Sequence, residues 1–168
     1  MNSRVLHAVT GRLSLRPPQE ESLKRLVRAL ETSPDLLGHE RDIAAVLSTL
    51  KAEFPTLEDF EREFPSLCFA LATGVGKTRL MGAFIAYLHL AHGINNFFVL
   101  APNLTIYNKL IADFTPNTPK YVFRGIAEFA VDAPSIITGD NYDQRDPMSG
   151  TLLGSVRINI FNISKINS

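Results

Sequence analysis

Ala72-Thr73-Gly74-Val75-Gly76-Lys77-Thr78 stands between two apolar runs, Leu67 to Leu71 before it and Leu80 to Leu90 after it. The first run reads as a strand, the second as a helix, and the glycines between them as a tight turn. Without a Cβ at positions 74 and 76, the backbone can fold so that its N–H groups point into one small volume. The start of the following helix adds the positive end of its dipole to that volume. Strand, glycine turn, Lys-Thr and helix are together a means of holding a polyphosphate. Lys77 is expected against the β- and γ-phosphates and the Thr78 hydroxyl on Mg²⁺, with Thr73, Gly74, Val75, Gly76 and Arg79 completing the site. The expected ligand is a purine nucleotide, ATP with Mg²⁺. One departure stands out: the full pattern G-x-x-x-x-G-K-[ST] wants glycine at position 71, and this chain has Leu71.

The chain has 168 residues, 45% hydrophobic and 20% charged, enough for one core and short for two. Seventeen basic residues balance seventeen acidic ones, so a nucleic-acid contact would come from a local patch and not from a basic domain as a whole. The single cysteine, Cys68, cannot form an internal disulfide and is expected as a buried thiol on the first strand. No signal peptide precedes the first elements, and the run from Leu80 to Leu90 is too short for a membrane span. A soluble cytoplasmic protein is the expectation.

The first third is helical. Arg12-Leu13-Ser14-Leu15-Arg16 alternates and reads as an edge strand or extended arm. Pro17-Pro18 then opens a helix whose Leu23, Leu26, Val27 and Leu30 form one stripe. A second helix is expected from about Gly38 to Phe54. Thr56 with Asp59 suggests the cap of a third, short one ending near Phe64-Pro65. From Ser66 the pattern becomes strand and helix in alternation: strand Leu67 to Ala72, helix Lys77 to Ala91 stopped by His92-Gly93, strand Phe97 to Ala101, then a helix with Leu104, Tyr107, Leu110, Ile111 and Phe114 on one face. Two successive β-α units call for a parallel sheet with helices on its faces. Thr115 to Pro119 reads as a loop, Tyr121 to Phe123 and Ser135 to Thr138 as short apolar runs, Gly139 to Gly150 as an exposed loop, and Val156 to Phe161 as a last strand.

Taken in order, these segments resemble the first motor domain of superfamily 2 helicases, most closely the restriction (Res) subunit of type III restriction enzymes. The helicase form of the phosphate loop commonly lacks its first glycine, which accommodates Leu71. Leu15-Arg16-Pro17-Pro18-Gln19 is similar to the family's L-R-P-x-Q segment, and the resemblance implies that Gln19 reads the adenine edge. Phe97 to Asn103 resembles the motif whose turn touches the nucleic-acid backbone, implying contacts from Pro102 and Asn103. Asn103 is also a favoured helix N-cap. Ile158 to Asn167 looks like the strand that precedes the acidic Walker B motif, with Asn162 and Lys165 as further candidates for backbone phosphates. The implied fold is α/β: a parallel-sheet, RecA-like P-loop domain over 65–168, incomplete at its C-terminus, preceded by a helical segment over 1–64. The implied partners are DNA, duplex or single-stranded, and a modification (methyltransferase) subunit.

An ATPase motor also needs a carboxylate to hold Mg²⁺ through water, a glutamate to activate the attacking water and an arginine for the transition state. No apolar run in this sequence ends in Asp-Glu; Ser135 to Asp140 comes nearest, with a lone aspartate. The 168 residues are therefore expected to be the N-terminal piece of a longer DNA-dependent ATPase, inactive alone. Two readings compete with this one: a small P-loop phosphotransferase, and a non-catalytic remnant that binds nucleic acid without using ATP.

Overall fold

The computed structural model describes residues 2–38, 42–141 and 155–163. The chain forms two compact units, one of residues 16–77 and one of residues 1–15 with 78–168.

In the first unit, helix α2 (Pro17–Thr32) follows helix α1 (Asn2–Arg12) of the other unit along the chain. Pro17-Pro18 sits in its first turn, where a missing N–H costs nothing. The stripe expected from the sequence is the buried one: Leu23, Leu26, Val27 and Leu30 are all 8% exposed or less. After a 3₁₀ turn (Pro34–Leu37), helix α3 (Ile43–Glu53) starts later than expected. Asp42 sets that start by accepting hydrogen bonds from the Ala44 and Ala45 N–H groups. Arg28 of α2 forks onto both carboxylate oxygens of Glu53 at 2.7 and 3.1 Å. The third short helix is not formed. Asp59 Oδ1 accepts instead from the Glu61 N–H two residues on, at 2.8 Å, so this carboxylate shapes a turn with Glu61 at φ +52°.

Residues 67–72 are a second correction. They make no strand ladder among the described residues, although Leu67, Phe69 and Leu71 are half-buried while Cys68, Ala70 and Ala72 are exposed. The alternation of a one-sided strand is present; the hydrogen-bonding neighbour that would make it one is not. Cys68 accordingly lies on the exposed side and is not the buried thiol expected.

In the second unit, α1 runs to Arg12 and residues 13–14 form a turn with Ser14 at φ +48°, so the stretch from Arg12 does not begin as the edge strand or extended arm expected. Val9 and Leu13, four residues apart, are buried at 0% and 4%, and Gly125, at φ +103°, packs so close to the Arg12 carbonyl that a Cβ there would lie 2.6 Å from it. Helix α4 (Lys77–His92) ends as the sequence implies, on Gly93 at φ +69°. The Gly93 N–H bonds the His89 carbonyl and the Ile94 N–H bonds that of Leu88. Strand β1 (Asn96–Ala101), helix α5 (Leu104–Phe114), the short helix α6 (Ala127–Val131), strand β2 (Ser135–Thr138) and strand β3 (Arg157–Asn162) follow. The sheet is parallel throughout, in the order β1-β3-β2, with Asn96 opposite Arg157 and Ser135 opposite Arg157. The last described strand is thus the central one, with Ile158 and Ile160 completely buried. Helix α5 packs on β1 and β3. In-register residues Val99, Ile160 and Thr138 share the buried face, whereas Phe98, 61% exposed, stacks on Phe161 at 5.2 Å on the other.

Candidate nucleotide site

The glycine turn has the backbone the sequence calls for. Gly74 lies at φ +80° and Gly76 at φ +88°, both in the left-handed region that side chains disfavour. A Cβ on Gly74 would meet nothing within 4 Å, but one on Gly76 would stand 2.6 Å from Gln19 Nε2. That proximity has a purpose. Gln19, 2% exposed in the first turn of α2, donates through Nε2 to the Val75 carbonyl at 2.9 Å and to the Gly76 carbonyl at 2.8 Å. Its Oε1 accepts from the Arg16 N–H at 2.8 Å, and the Arg16 guanidinium reaches the Gly74 carbonyl at 3.5 Å. In a trans peptide the C=O of one residue and the N–H of the next point in opposite directions. Holding the carbonyls of Val75 and Gly76 on the Gln19 side therefore aims the N–H groups of Gly76 and Lys77 to the opposite side, where a phosphate oxygen would need them. Lys77 opens α4 and is exposed, and its ammonium makes no hydrogen bond or ion pair among the described residues. Thr73 is exposed in the turn itself.

In this arrangement Gln19 braces the loop. Both hydrogens of Nε2 are committed to it, so a base could engage Gln19 only through the remaining lone pair of Oε1.

In the other unit, the Thr78 hydroxyl accepts a hydrogen bond from Lys109 Nζ of α5 at 3.3 Å. Lys109 also pairs with Asp113 one turn along, whose carboxylate is only 9% exposed. Neither residue is apparent as a site from sequence, although an aspartate on the buried stripe of Tyr107, Leu110 and Phe114 is itself a signal of a paired charge. Arg79 donates to the Leu13 carbonyl at 3.2 Å and so ties α4 to the end of α1. At the β1–α5 turn Pro102 is exposed, and Asn103 caps α5 by accepting from the Ile106 N–H at 2.9 Å. Asn162 is 1% exposed, which places its side chain in the interior at the end of β3 and not on a surface that a nucleic acid could touch. Asp140 lies in the exposed turn after β2. Lys165 and most of the loop expected over Gly139 to Gly150 lie outside the described residues. Among the described residues no cluster of three His, Cys, Asp or Glu could hold a metal ion, and no helix is long and apolar enough to cross a membrane.

Two left-handed glycines leading into a Lys-Thr helix, in a chain whose sheet is wholly parallel, define a P-loop domain of the RecA-like α/β class. The model of one family, described as type III restriction enzyme, res subunit, matches residues 12–168, and the chain belongs to that family. Its domain is of the helicase-type, ATP-binding kind. No curated protein and no solved structure matches the chain.

Proposed function

We propose that the chain binds ATP with Mg²⁺ on the loop Thr73 to Thr78, as the nucleotide-binding part of a DNA-dependent ATPase that translocates along or separates DNA strands. The observation that carries this reading is the braced loop: the Val75 and Gly76 carbonyls are held on Gln19, which leaves the Gly76 and Lys77 N–H groups and the free Lys77 ammonium for an anion. Lys77 neutralises the outer phosphates, and the Thr78 hydroxyl is the oxygen a divalent cation would take. Mg²⁺, when bound, supplies further charge neutralisation on the same phosphates. Pro102 and Asn103 stand at the carboxyl end of a parallel strand, the edge of an α/β sheet at which ligands bind, and we assign the DNA backbone contact to that turn. A methyltransferase subunit is the partner that family membership favours.

Because the sequence contains no Asp-Glu pair, hydrolysis by these 168 residues alone is expected to be negligible. Binding is the measurement that decides. A thermal-shift titration with Mg-ADP and Mg-ATP should raise the melting temperature saturably, since a ligand at 100 times its Kd stabilises by about 2.7 kcal/mol. Lys77→Ala should abolish the shift while the fold persists. No stabilisation at millimolar nucleotide, with the circular dichroism of a folded chain, would overturn the reading in favour of a non-catalytic role.

A further inference from the structure

Lys109 is held between two oxygens of different character. Asp113 is fixed by burial on the face of α5 that carries Tyr107, Leu110 and Phe114, and a carboxylate there needs a counter-charge. Lys109 supplies it from one turn away, which accounts for the ion pair. It does not account for the second contact, 3.3 Å from the ammonium to Thr78 Oγ1. Lys109 is half exposed, at 51%, so its stem is free to take other rotamers that would leave this hydroxyl alone. The Thr78 hydroxyl, next to Lys77, is a loop oxygen suited to a divalent cation. An ammonium and a divalent cation on one hydroxyl oxygen would repel at close range, so one excludes the other.

We propose that Lys109 is a place-holding cation for the divalent ion at Thr78. In the structure the ammonium occupies the hydroxyl and is anchored by Asp113. Lys109 would give up Thr78 to a divalent cation held there with the nucleotide, and keep Asp113. The exchange sets how much free Mg²⁺ the site needs before it closes on nucleotide. It rests on the reading of Thr73 to Thr78 as a nucleotide site, and deepens it by making the Mg²⁺ requirement a property of α5.

The test uses the whole chain and a fluorescent N-methylanthraniloyl ADP, titrated at free Mg²⁺ from chelator-buffered traces to tens of millimolar. The readout is the Mg²⁺ concentration at half-maximal nucleotide binding. Lys109→Gln removes the charge and should lower that midpoint on the order of tenfold, the equivalent of one lost hydrogen bond from a charged donor. Lys109→Arg keeps the charge and should stay near the unsubstituted value. A Lys109→Gln midpoint equal to that of the unsubstituted chain, with nucleotide still bound, overturns the exchange and leaves the nucleotide site standing. So does a Lys109→Arg midpoint as low as that of Lys109→Gln. Absence of nucleotide binding by the unsubstituted chain at every Mg²⁺ concentration overturns the site itself, and the exchange with it. Should Lys109→Gln fail to fold with Asp113 orphaned, the double variant Lys109→Gln/Asp113→Asn removes both charges and carries the same expectation and the same refutation.

Discussion

Gln19 makes three hydrogen bonds at 2.8 to 2.9 Å from a side chain 2% exposed, two of them to loop carbonyls. Gln19→Met removes all three with little change of volume. At about 1 kcal/mol net each, and with some apolar burial regained, the loss of stability should be about 2–3 kcal/mol, or ~4–12 °C in Tm for a chain of this size. Gln19→Glu is harsher, because a carboxylate oxygen would then face the Val75 and Gly76 carbonyls where an NH₂ group stood. Burial among carbonyls raises the folded pKa of that Glu above its unfolded value. The variant's stability is therefore best below the unfolded pKa and falls as pH rises through the folded one, so acid should partly rescue it while leaving Gln19→Met unrescued. The effect on ligand is separable from the effect on fold. Releasing two bonds of about 1 kcal/mol each lets the braced loop become a minority conformation, which weakens nucleotide ~10- to 30-fold. The loop presents amides to phosphate, not to a base, so ADP and GDP should lose affinity by the same factor. Urea melts across pH and parallel titrations with fluorescent ADP and GDP check both halves. A loss confined to adenine nucleotides, or unchanged stability in Gln19→Met, would refute the bracing argument and restore Gln19 to the base.

The two loop glycines should differ in cost. Gly74→Ala faces only its left-handed backbone, about 1–2 kcal/mol, whereas Gly76→Ala adds a methyl 2.6 Å from Gln19 Nε2 and should lose more in chemical melts, unless Gln19→Ala opens the space. Gly82→Ala would place its Cβ 2.6 Å from Val122 Cγ2 and should destabilise by about 1–3 kcal/mol, with Val122→Ala restoring part of the loss; additive effects of the two substitutions would contradict that contact. The Tyr107 hydroxyl is buried without a partner among the described residues, so Tyr107→Phe should raise Tm by the equivalent of about 1 kcal/mol, and a lowered Tm would show that the hydroxyl is satisfied. The hydrogen bond from Arg28 holds the Glu53 carboxyl below its ordinary range, so its contribution is present above that range and lost as pH falls through the lowered value. Both groups are exposed; the difference between Arg28→Met and the unsubstituted chain should be small, confined to neutral pH and erased by salt.

What could be read from the sequence was what local chemistry specifies. The glycine turn, the Pro17-Pro18 helix start, the Gly93 stop and the Asn103 cap are each set by residues within a few positions of one another, and each is found where the sequence puts it. The parallel sheet was legible from the strand and helix of the second β-α unit, although the first unit lacks its strand. Failures came where a partner distant in sequence decides. Leu67 to Leu71 carries a strand's alternation, but a strand exists only with a neighbour, and no local signal supplies one. Arg12 to Arg16 alternates over five residues and hid the spacing of Val9 and Leu13 that places α1 on a helix. Asp59 has the spacing of a helix cap, and its carboxylate found the closer N–H of Glu61 instead. Within the site, the loop was visible and the bonds that support it were not: Gln19, read as an adenine contact, bonds residues 56 and 57 positions away, and Lys109 bonds one 31 positions away.

The strand order carries a consequence for how the chain is made. Among the described residues β1 and β2 share no ladder with each other; each pairs only with β3, which is synthesised after both. Asn96 must wait 61 residues for Arg157, about 3–12 s at cellular translation rates of ~5–20 residues per second. Until then β1, and β2 once it is made, have no ladder partner among the described residues to satisfy their backbone, and the three strands pair in a single late event when the central strand emerges. Slowed translation between residues 102 and 156 should therefore lengthen the period in which the nascent chain depends on chaperones, whatever its final stability.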